Sequence, residues 1–240
     1  MKIKLTMQFV SVSIISVLLF FISCSKELNS EKAGFYKNFQ TAKKKYNDNN
    51  YREAINGLNS IILNYGGENG IDSVQFLIAK AHYELEEFYS ASYEFSRLTD
   101  NFPESKLIEE SYYQDAGCYK KLSPRYTLDQ KETFTAISKY QLYLDLFPKG
   151  KYSKESSLNI TELREKLARK EFEAGSLYLK LGQPRAARVY FNEIIDNYYD
   201  TSYYILSLEK IAQAYLEMKD DYSYKIYLSK FQELKNNLKK

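Results

Sequence analysis

The chain has no tryptophan, one histidine, two cysteines, four prolines and nine glycines among 240 residues. Each scarcity excludes something. So few prolines and glycines cannot supply the dense turns of a β-fold, and they favour helices. His82 and one thiol besides Cys24 cannot build a nucleophilic triad, and no Cys-x-x-Cys or His-Glu-x-x-His spacing offers a metal site. No phosphate-cradling loop is present, because Gly66-Gly67-Glu68-Asn69-Gly70 follows no strand and reads as a turn. The paired acids Glu86-Glu87 and Glu109-Glu110 read as solvated helix faces, and His82 as a core-edge side chain. We therefore expect no catalytic residue, no metal and no cofactor: a non-enzyme. Charge of one sign is also lacking. The 34 Lys and Arg against 31 Asp and Glu leave a formal net charge of +3, so no field draws nucleic acid.

The chain begins with Lys2 and Lys4, followed by an uncharged stretch from Leu5 to Ser23 rich in Val, Ile, Leu and Phe. A charged start, an apolar middle and small residues before a cleavage point make an export signal. Cys24, directly after Ser23, resembles the acylated cysteine of a bacterial lipobox. The reading is a signal peptide at 1–23, lipidation at Cys24 and a flexible tether at 24–34. Several acyl chains there anchor stably, at about 0.8 kcal/mol per buried CH₂. The alternative is an uncleaved membrane helix, since Leu5–Ser23 can nearly span a bilayer. An acylated Cys24 leaves Cys118 without a disulfide partner, and it reads as a small buried hydrophobe.

From Phe35 onward apolar residues recur at i, i+3, i+4 and i+7, in segments cut by short polar turns. The expected helix pairs are Phe35–Asp48 with Tyr51–Tyr65, Ile71–Glu86 with Phe88–Asn101, and Glu104–Leu122 with Asp129–Phe147. A long segment, Tyr152–Leu181, with a possible break near Asn159, leads to Gln183–Tyr198, and Thr201–Met218 precedes Asp221–Leu238. Leu122–Thr127 reads as a loop around Pro124. Tyr, unusually frequent at 24 residues, falls mostly at core spacing with its hydroxyl free to reach an edge.

The second helices share a small Ala followed four residues later by a large side chain. Ala54 precedes Leu58, Ala91 precedes Phe95, Ala136 precedes Tyr140, and Ala187 precedes Phe191. Matching small residues in the first helices are Ala42, Ala79, Ala116, Gly175 and Ala212. The fifth pair departs by placing Tyr224 in the Ala slot. Such a pattern resembles the tetratricopeptide repeat. The fold class is all-α, an α-solenoid of about five tetratricopeptide-like helix pairs. Three pairs occupy 35–150, and the long connecting helix with the C-terminal pairs occupies 151–240.

Two segments carry a narrower resemblance. Cys118–Ala136 contains Asp129-Gln130 ahead of a Thr/Ala-Ile helix, and Leu163-Arg-Glu-Lys-Leu-Ala-Arg-Lys-Glu171 follows. Together with the lipobox and five repeats, the chain resembles the BamD family of outer-membrane assembly lipoproteins. It departs at Tyr199 and at Gly66-Gly67, where repeat-closing prolines are expected. The resemblance implies a lipoprotein anchored in the outer membrane by its N-terminal lipid, facing the periplasm. Its implied partners are a BamA-like β-barrel assembly subunit, met by the C-terminal repeats, and unfolded outer-membrane proteins, met by the N-terminal ones. A tetratricopeptide lipoprotein scaffold for peptidoglycan enzymes and a lipid-anchored solute-binding component remain the alternatives.

The repeats themselves suggest where binding could occur. Counting from the small residues, the first helices present Phe39, Lys43, Tyr46, Phe76, Lys80, Tyr83, Tyr113 and Lys120 to a concave groove. Aromatics interleaved with lysines suit an extended peptide with apolar side chains and a terminal carboxylate; the alternative is an ordinary solvated face with core-edge aromatics. For the partner subunit, Tyr178, Arg185, Arg188, Tyr203 and Tyr204 offer residue types enriched at interface hot spots, against a reading as core tyrosines and surface arginines.

Overall fold

The computed structural model describes residues 32–237. The predicted signal peptide 1–23, Cys24 and the tether before residue 32 lie outside the described residues. The described residues form ten helices and no strand: α1 (32–47), α2 (Tyr51–Tyr65), α3 (Ile71–Glu84), α4 (Phe88–Asn101), α5 (Ile108–Leu122), α6 (Lys131–Leu146), α7 (Ser153–Lys180), α8 (Pro184–Asn197), α9 (Tyr203–Glu217) and α10 (Asp221–Asn237). They make the expected all-α array of tetratricopeptide-like pairs. No helix among the described residues is long and apolar enough to cross a membrane.

The chain divides into two compact units, one ending at Ile108 and one beginning at Glu109. In unit one, α2 packs on α3 and α3 on α4. Its core gathers Phe35, Leu58, Ile61, Val74 and Ile78 around the small Ala42. Ala54 and Ala91 are fully buried, which lets neighbouring backbones approach while Leu58 and Phe95 fill the next groove. Asp72 accepts a hydrogen bond from the Ser105 hydroxyl at 2.5 Å, and Ser105 Oγ accepts from the Leu107 amide. This turn delays α5 to Ile108 rather than Glu104.

In unit two, α7 runs unbroken for 28 residues, about 42 Å at 1.5 Å per residue. Asn159 sits inside it and does not break it. Leu167, Ala168, Ala187, Phe191, Ile194 and Ile211 form the main core. Gly175 is demanded by close approach, since a Cβ there would lie 2.9 Å from the Phe191 ring. A second core joins Ala116, Ala136 and Tyr140 to Leu163 of α7. Cys118 is fully buried, and burial pushes its thiol pKa up.

The unit boundary falls earlier than the division at 150, because the third helix pair is tied to α7. Buried Tyr143 donates to Glu109 Oε1 at 2.7 Å and accepts from the Tyr152 amide at 2.9 Å. Burial, followed by the bond to Glu109, pushes the Tyr143 phenol up to about 12. Tyr113 stacks on Tyr152 with centroids 4.2 Å apart. At the chain's other end, α10 has no fully buried residue. Its Ala slot holds half-buried Tyr224, which packs against the core edge.

Candidate functional site

The two segments that carry the narrower resemblance meet in unit two. Residues 123–130 join α5 to α6 as a strap lying on α7. Gln130, only 3% exposed, donates from Nε2 to the carbonyls of Arg125 (2.9 Å) and Leu128 (3.0 Å), and accepts from Thr133 Oγ1 at 2.8 Å. From α7, Lys166 Nζ donates to Ser123 Oγ at 2.5 Å and to the Pro124 carbonyl at 3.3 Å. One turn on, Lys170 Nζ donates to the Leu128 carbonyl at 3.0 Å. The Arg169 guanidinium lies 4.3 Å over the Tyr126 ring, a cation–π contact. Burial holds the Lys166 ammonium below the usual lysine range, against the opposing pull of Glu162. A long irregular joint is thereby held on α7 by side-chain donors.

A second joint, between α8 and α9, is held to the same helix. Arg164 grips Asp200 through Nε (2.7 Å) and Nη2 (2.5 Å), and Nη2 also reaches the Asn197 carbonyl at 2.7 Å. Its neighbour Glu165 accepts from the Ser202 amide at 2.6 Å and hydroxyl at 2.8 Å. This fixed turn carries Tyr199, which is 68% exposed where a repeat-closing proline is expected. Tyr199, Arg164 and Asp200 edge an open groove of about 600 Å³ floored by Ile137, Leu142 and Ile160.

The five residues expected at the partner interface lie on α7, α8 and α9 of this unit. Tyr178 stacks on Tyr190 with centroids 5.3 Å apart. Tyr203 is half-buried against Phe172 at 5.3 Å, and Tyr204 is also half-buried. Arg185 is exposed. Arg188 is half-buried with its guanidinium 5.9 Å over the Tyr215 ring, and its Nε is buried without a hydrogen-bond partner.

The residues expected in the aromatic-lysine groove do not stand alike. In unit one, Lys43 is exposed and Lys80 lies 6.0 Å over the Phe76 ring. Phe76 itself is a core residue, 9% exposed and edge-on to Phe95, and Phe39 stacks on Phe35. Tyr46 packs edge-on against Tyr51, and Tyr83 against Phe88. Burial, ahead of nearby Glu84, pushes the Tyr46 phenol up to about 12. This surface therefore offers amines and ring edges, with Phe76 as packing beneath them. Tyr113 and Lys120, in unit two, turn inward to α7. Tyr113 stacks on Tyr152, while Lys120 Nζ donates to Asn159 Oδ1 (2.8 Å) and Glu162 Oε2 (2.5 Å). Asn159 and Glu162 occupy the amine that the repeat count left open.

Residues 32–225 match the family model YfiO, described as "Outer membrane lipoprotein". The chain belongs to this family. It is similar to the "Outer membrane protein assembly factor BamD" of Rickettsia prowazekii (strain Madrid E), 27% identical over 166 residues, covering 69% of this chain and 66% of that one. It is also similar to the protein of the same name from Caulobacter vibrioides (strain ATCC 19089 / CIP 103742 / CB 15), 28% identical and covering 57% of this chain. The chain spans 66% and 45% of the lengths of these two relatives. A solved TPR2AB-domain:pHSP90 complex of yeast Sti1 is similar at 18% identity and a TM-score of 0.49, covering 84% of this chain and 77% of that one.

The YfiO match includes both the strap and the gripped α8–α9 turn. In the sequence, Arg164 and Glu165 fall inside Leu163–Glu171 with nothing that marks a task for them. No local pattern marks them, because the turn they hold lies 33 to 37 residues further along the chain. His82 is half-buried with Nδ1 2.7 Å from Glu87 Oε2, and Arg52 reaches the other oxygen at 2.6 Å. The bond to His82, then that to Arg52, holds the Glu87 carboxyl below its ordinary value. Among the described residues, no cluster of His, Cys, Asp and Glu could hold a metal ion.

Proposed function

We propose that this chain is a non-enzymatic subunit of the machinery that assembles β-barrel proteins in the outer membrane. It is held at the periplasmic face by lipid on Cys24. The observation that carries the reading is the family match over residues 32–225, which takes in both segments that build the strap. The assembly-factor names of two relatives support it.

In this reading unit two meets a BamA-like barrel subunit through Tyr178, Arg185, Arg188, Tyr203 and Tyr204. Arg188 supports the assignment most directly. Its guanidinium is half-buried over the Tyr215 ring, and arginine with its planar charged fork is enriched among interface anchors. Unit one meets unfolded outer-membrane proteins through Lys43 and Lys80, beside the ring edges of Tyr46 and Tyr83. An aromatic-ended C-terminal strand fits lysines that can take its carboxylate.

Affinity purification of the full-length chain from detergent-solubilised membranes, with mass spectrometry of bound proteins, tests this reading. A large partner with a C-terminal barrel and soluble periplasmic domains is the expected result. Recovery of wall hydrolases or transport components in its place would overturn it. For the substrate surface, Lys43→Glu with Lys80→Glu should weaken binding of a C-terminal barrel peptide while circular dichroism stays unchanged. Unaltered affinity would sink that assignment.

A further inference from the structure

The joint between α2 and α3, Gly66-Gly67-Glu68-Asn69-Gly70, stands where a repeat-closing proline is expected. Asn-Gly occurs twice in the chain, at Asn56-Gly57 and at Asn69-Gly70. Both asparagine side chains are exposed, so access to water does not separate them. Their backbones do. Gly57 lies inside α2, where its amide is committed to the helical ladder. Its α-carbon packs against α1, since a Cβ there would stand 3.4 Å from the Ala42 Cβ. Gly70 ends the turn before α3 at φ 102°, a conformation that glycine adopts freely. Its carbonyl accepts from the Ser73 and Val74 amides at 3.0 and 3.2 Å, while its own amide bonds to none of the described residues.

An asparagine followed by glycine carries the parts of a slow ring closure. The next residue's amide nitrogen can reach the side-chain carbonyl carbon, and glycine has no Cβ to hinder the approach. Attack of Gly70 N on Asn69 Cγ forms a new C–N bond. The Gly70 amide proton goes to solvent base, and the Cγ–Nδ2 bond breaks to release ammonia. Water then opens the resulting succinimide at one of its two carbonyls. Cleavage at Cγ gives aspartate with the ordinary backbone; cleavage at the main-chain carbonyl gives isoaspartate, whose chain runs through Cβ and Cγ. In sum an amide and water become a carboxylate and ammonium, with nothing oxidised or reduced. At Asn56 the same closure would first have to free the Gly57 amide from α2.

We propose that Asn69 is a self-modifying site, converting spontaneously to aspartate and isoaspartate in the folded chain, while α2 keeps Asn56 intact. The two products act differently on unit one. Aspartate adds a carboxylate just before α3, beside Glu68 and the first-turn acid Asp72, where a helix N-terminus favours negative charge. Isoaspartate adds a main-chain methylene directly before Gly70, whose α-carbon backs onto the Phe35 ring: a Cβ there would lie 3.4 Å from Phe35 Cζ. Phe35 is 3% exposed and packs in one core with Ile71 and Val74 of α3. Lengthening the joint therefore disturbs the seating of α3 on Phe35. No partner takes part in this chemistry, so it stands apart from the assembly reading.

The test incubates the full-length chain in detergent micelles in mildly alkaline buffer. Its peptides are then mapped over time by mass spectrometry, with fragmentation that tells isoaspartate from aspartate. Asn69 should convert to both products. Asn56 should react at least about tenfold more slowly, the factor that about 1.4 kcal/mol of local opening free energy imposes. In urea, where α2 no longer protects Asn56, the two rates should agree within about twofold. Asn69→Gln should abolish conversion at the joint, because its side chain closes a larger and slower ring. Asn69→Asp should melt with the unmodified chain, and the isolated isoaspartate form should melt lower. An intact Asn69 in the folded chain, equal rates at the two sites, or a difference that persists in urea would overturn the proposal. An isoaspartate form as stable as the unmodified chain would overturn its effect on Phe35.

Discussion

Four of the five joints within helix pairs are built alike, and the fifth is the strap. The alike ones are Asp48-Asn49-Asn50, Leu85-Glu86-Glu87, Leu181-Gly182-Gln183 and Met218-Lys219-Asp220. Their middle residues have φ of 61°, 59°, 67° and 60°. In each, the middle amide bonds back three residues and the next amide bonds back five, as in Asn49 to Tyr46 and Asn50 to Lys45. That is the Schellman closure, in which backbone alone satisfies the last helical carbonyls. The strap instead uses side chains of Gln130, Lys166 and Lys170. A backbone-only joint tolerates almost any side chains facing water, so its residues record little beyond conformation. A joint held by side chains is specified residue by residue, which is why the narrower family resemblance lies in it and in the helix beneath it.

The contrast should be sharpest at Gln130. Gln130→Ala removes three hydrogen bonds from a buried position and leaves the Arg125 and Leu128 carbonyls with fewer donors. The expected loss is about 2 kcal/mol in urea unfolding, since under-satisfied buried groups cost about 1–3 kcal/mol. Hydrogen exchange should accelerate across 123–130 before it does in α6. A loss below about 0.5 kcal/mol would mean that the strap is held by packing alone, and the contrast would fail.

The backbone-closed joints should respond only to conformation. Gly182→Ala places a Cβ in open space, with nothing within 4 Å. Its cost of about 1 kcal/mol is then the left-handed conformation itself. Glu86→Gly tests the converse, and should gain about 0.5 kcal/mol because glycine adopts this φ freely but loses more entropy on folding. Thermal melts of the two variants check both signs. Equal responses would show that Glu86 is held by more than backbone.

The joints were legible from sequence to very different depths. Periodicity placed α4 at Phe88–Asn101, as observed, because its buried Ala91, Ser92, Phe95 and Leu98 repeat at helical spacing. Pro124 and the polar run behind it marked a loop. What holds that loop was not legible, because Lys166 and Lys170 come from about forty residues away and no local pattern encodes convergence. The aromatic-lysine groove was only partly legible, for a related reason. Positions near the small residue of a first helix border both the concave face and the core, and spacing cannot say which side a ring takes. Phe76 went to the core, and Tyr113 went to the stack with Tyr152.

The α8–α9 turn lies between the two kinds of joint, since it adds a charged grip to a short turn, and acid separates its parts. The bond from Arg164 holds the Asp200 carboxyl below its ordinary value of 3.8, opposed by partial burial. A depressed folded pKa contributes stability that is complete above the unfolded value and is lost as pH falls through the folded one. The stability gap between the native chain and Asp200→Asn should therefore be constant from pH 7 to about 5, narrow below about 4, and close once both states are protonated. The pair is about a third exposed, so solvent screening limits the gap to about 0.5 kcal/mol. Glu165 would still hold Ser202, and the turn should keep its protection in hydrogen exchange. A gap that persists at low pH would show that Asp200 acts through neutral hydrogen bonds, placing this turn with the strap.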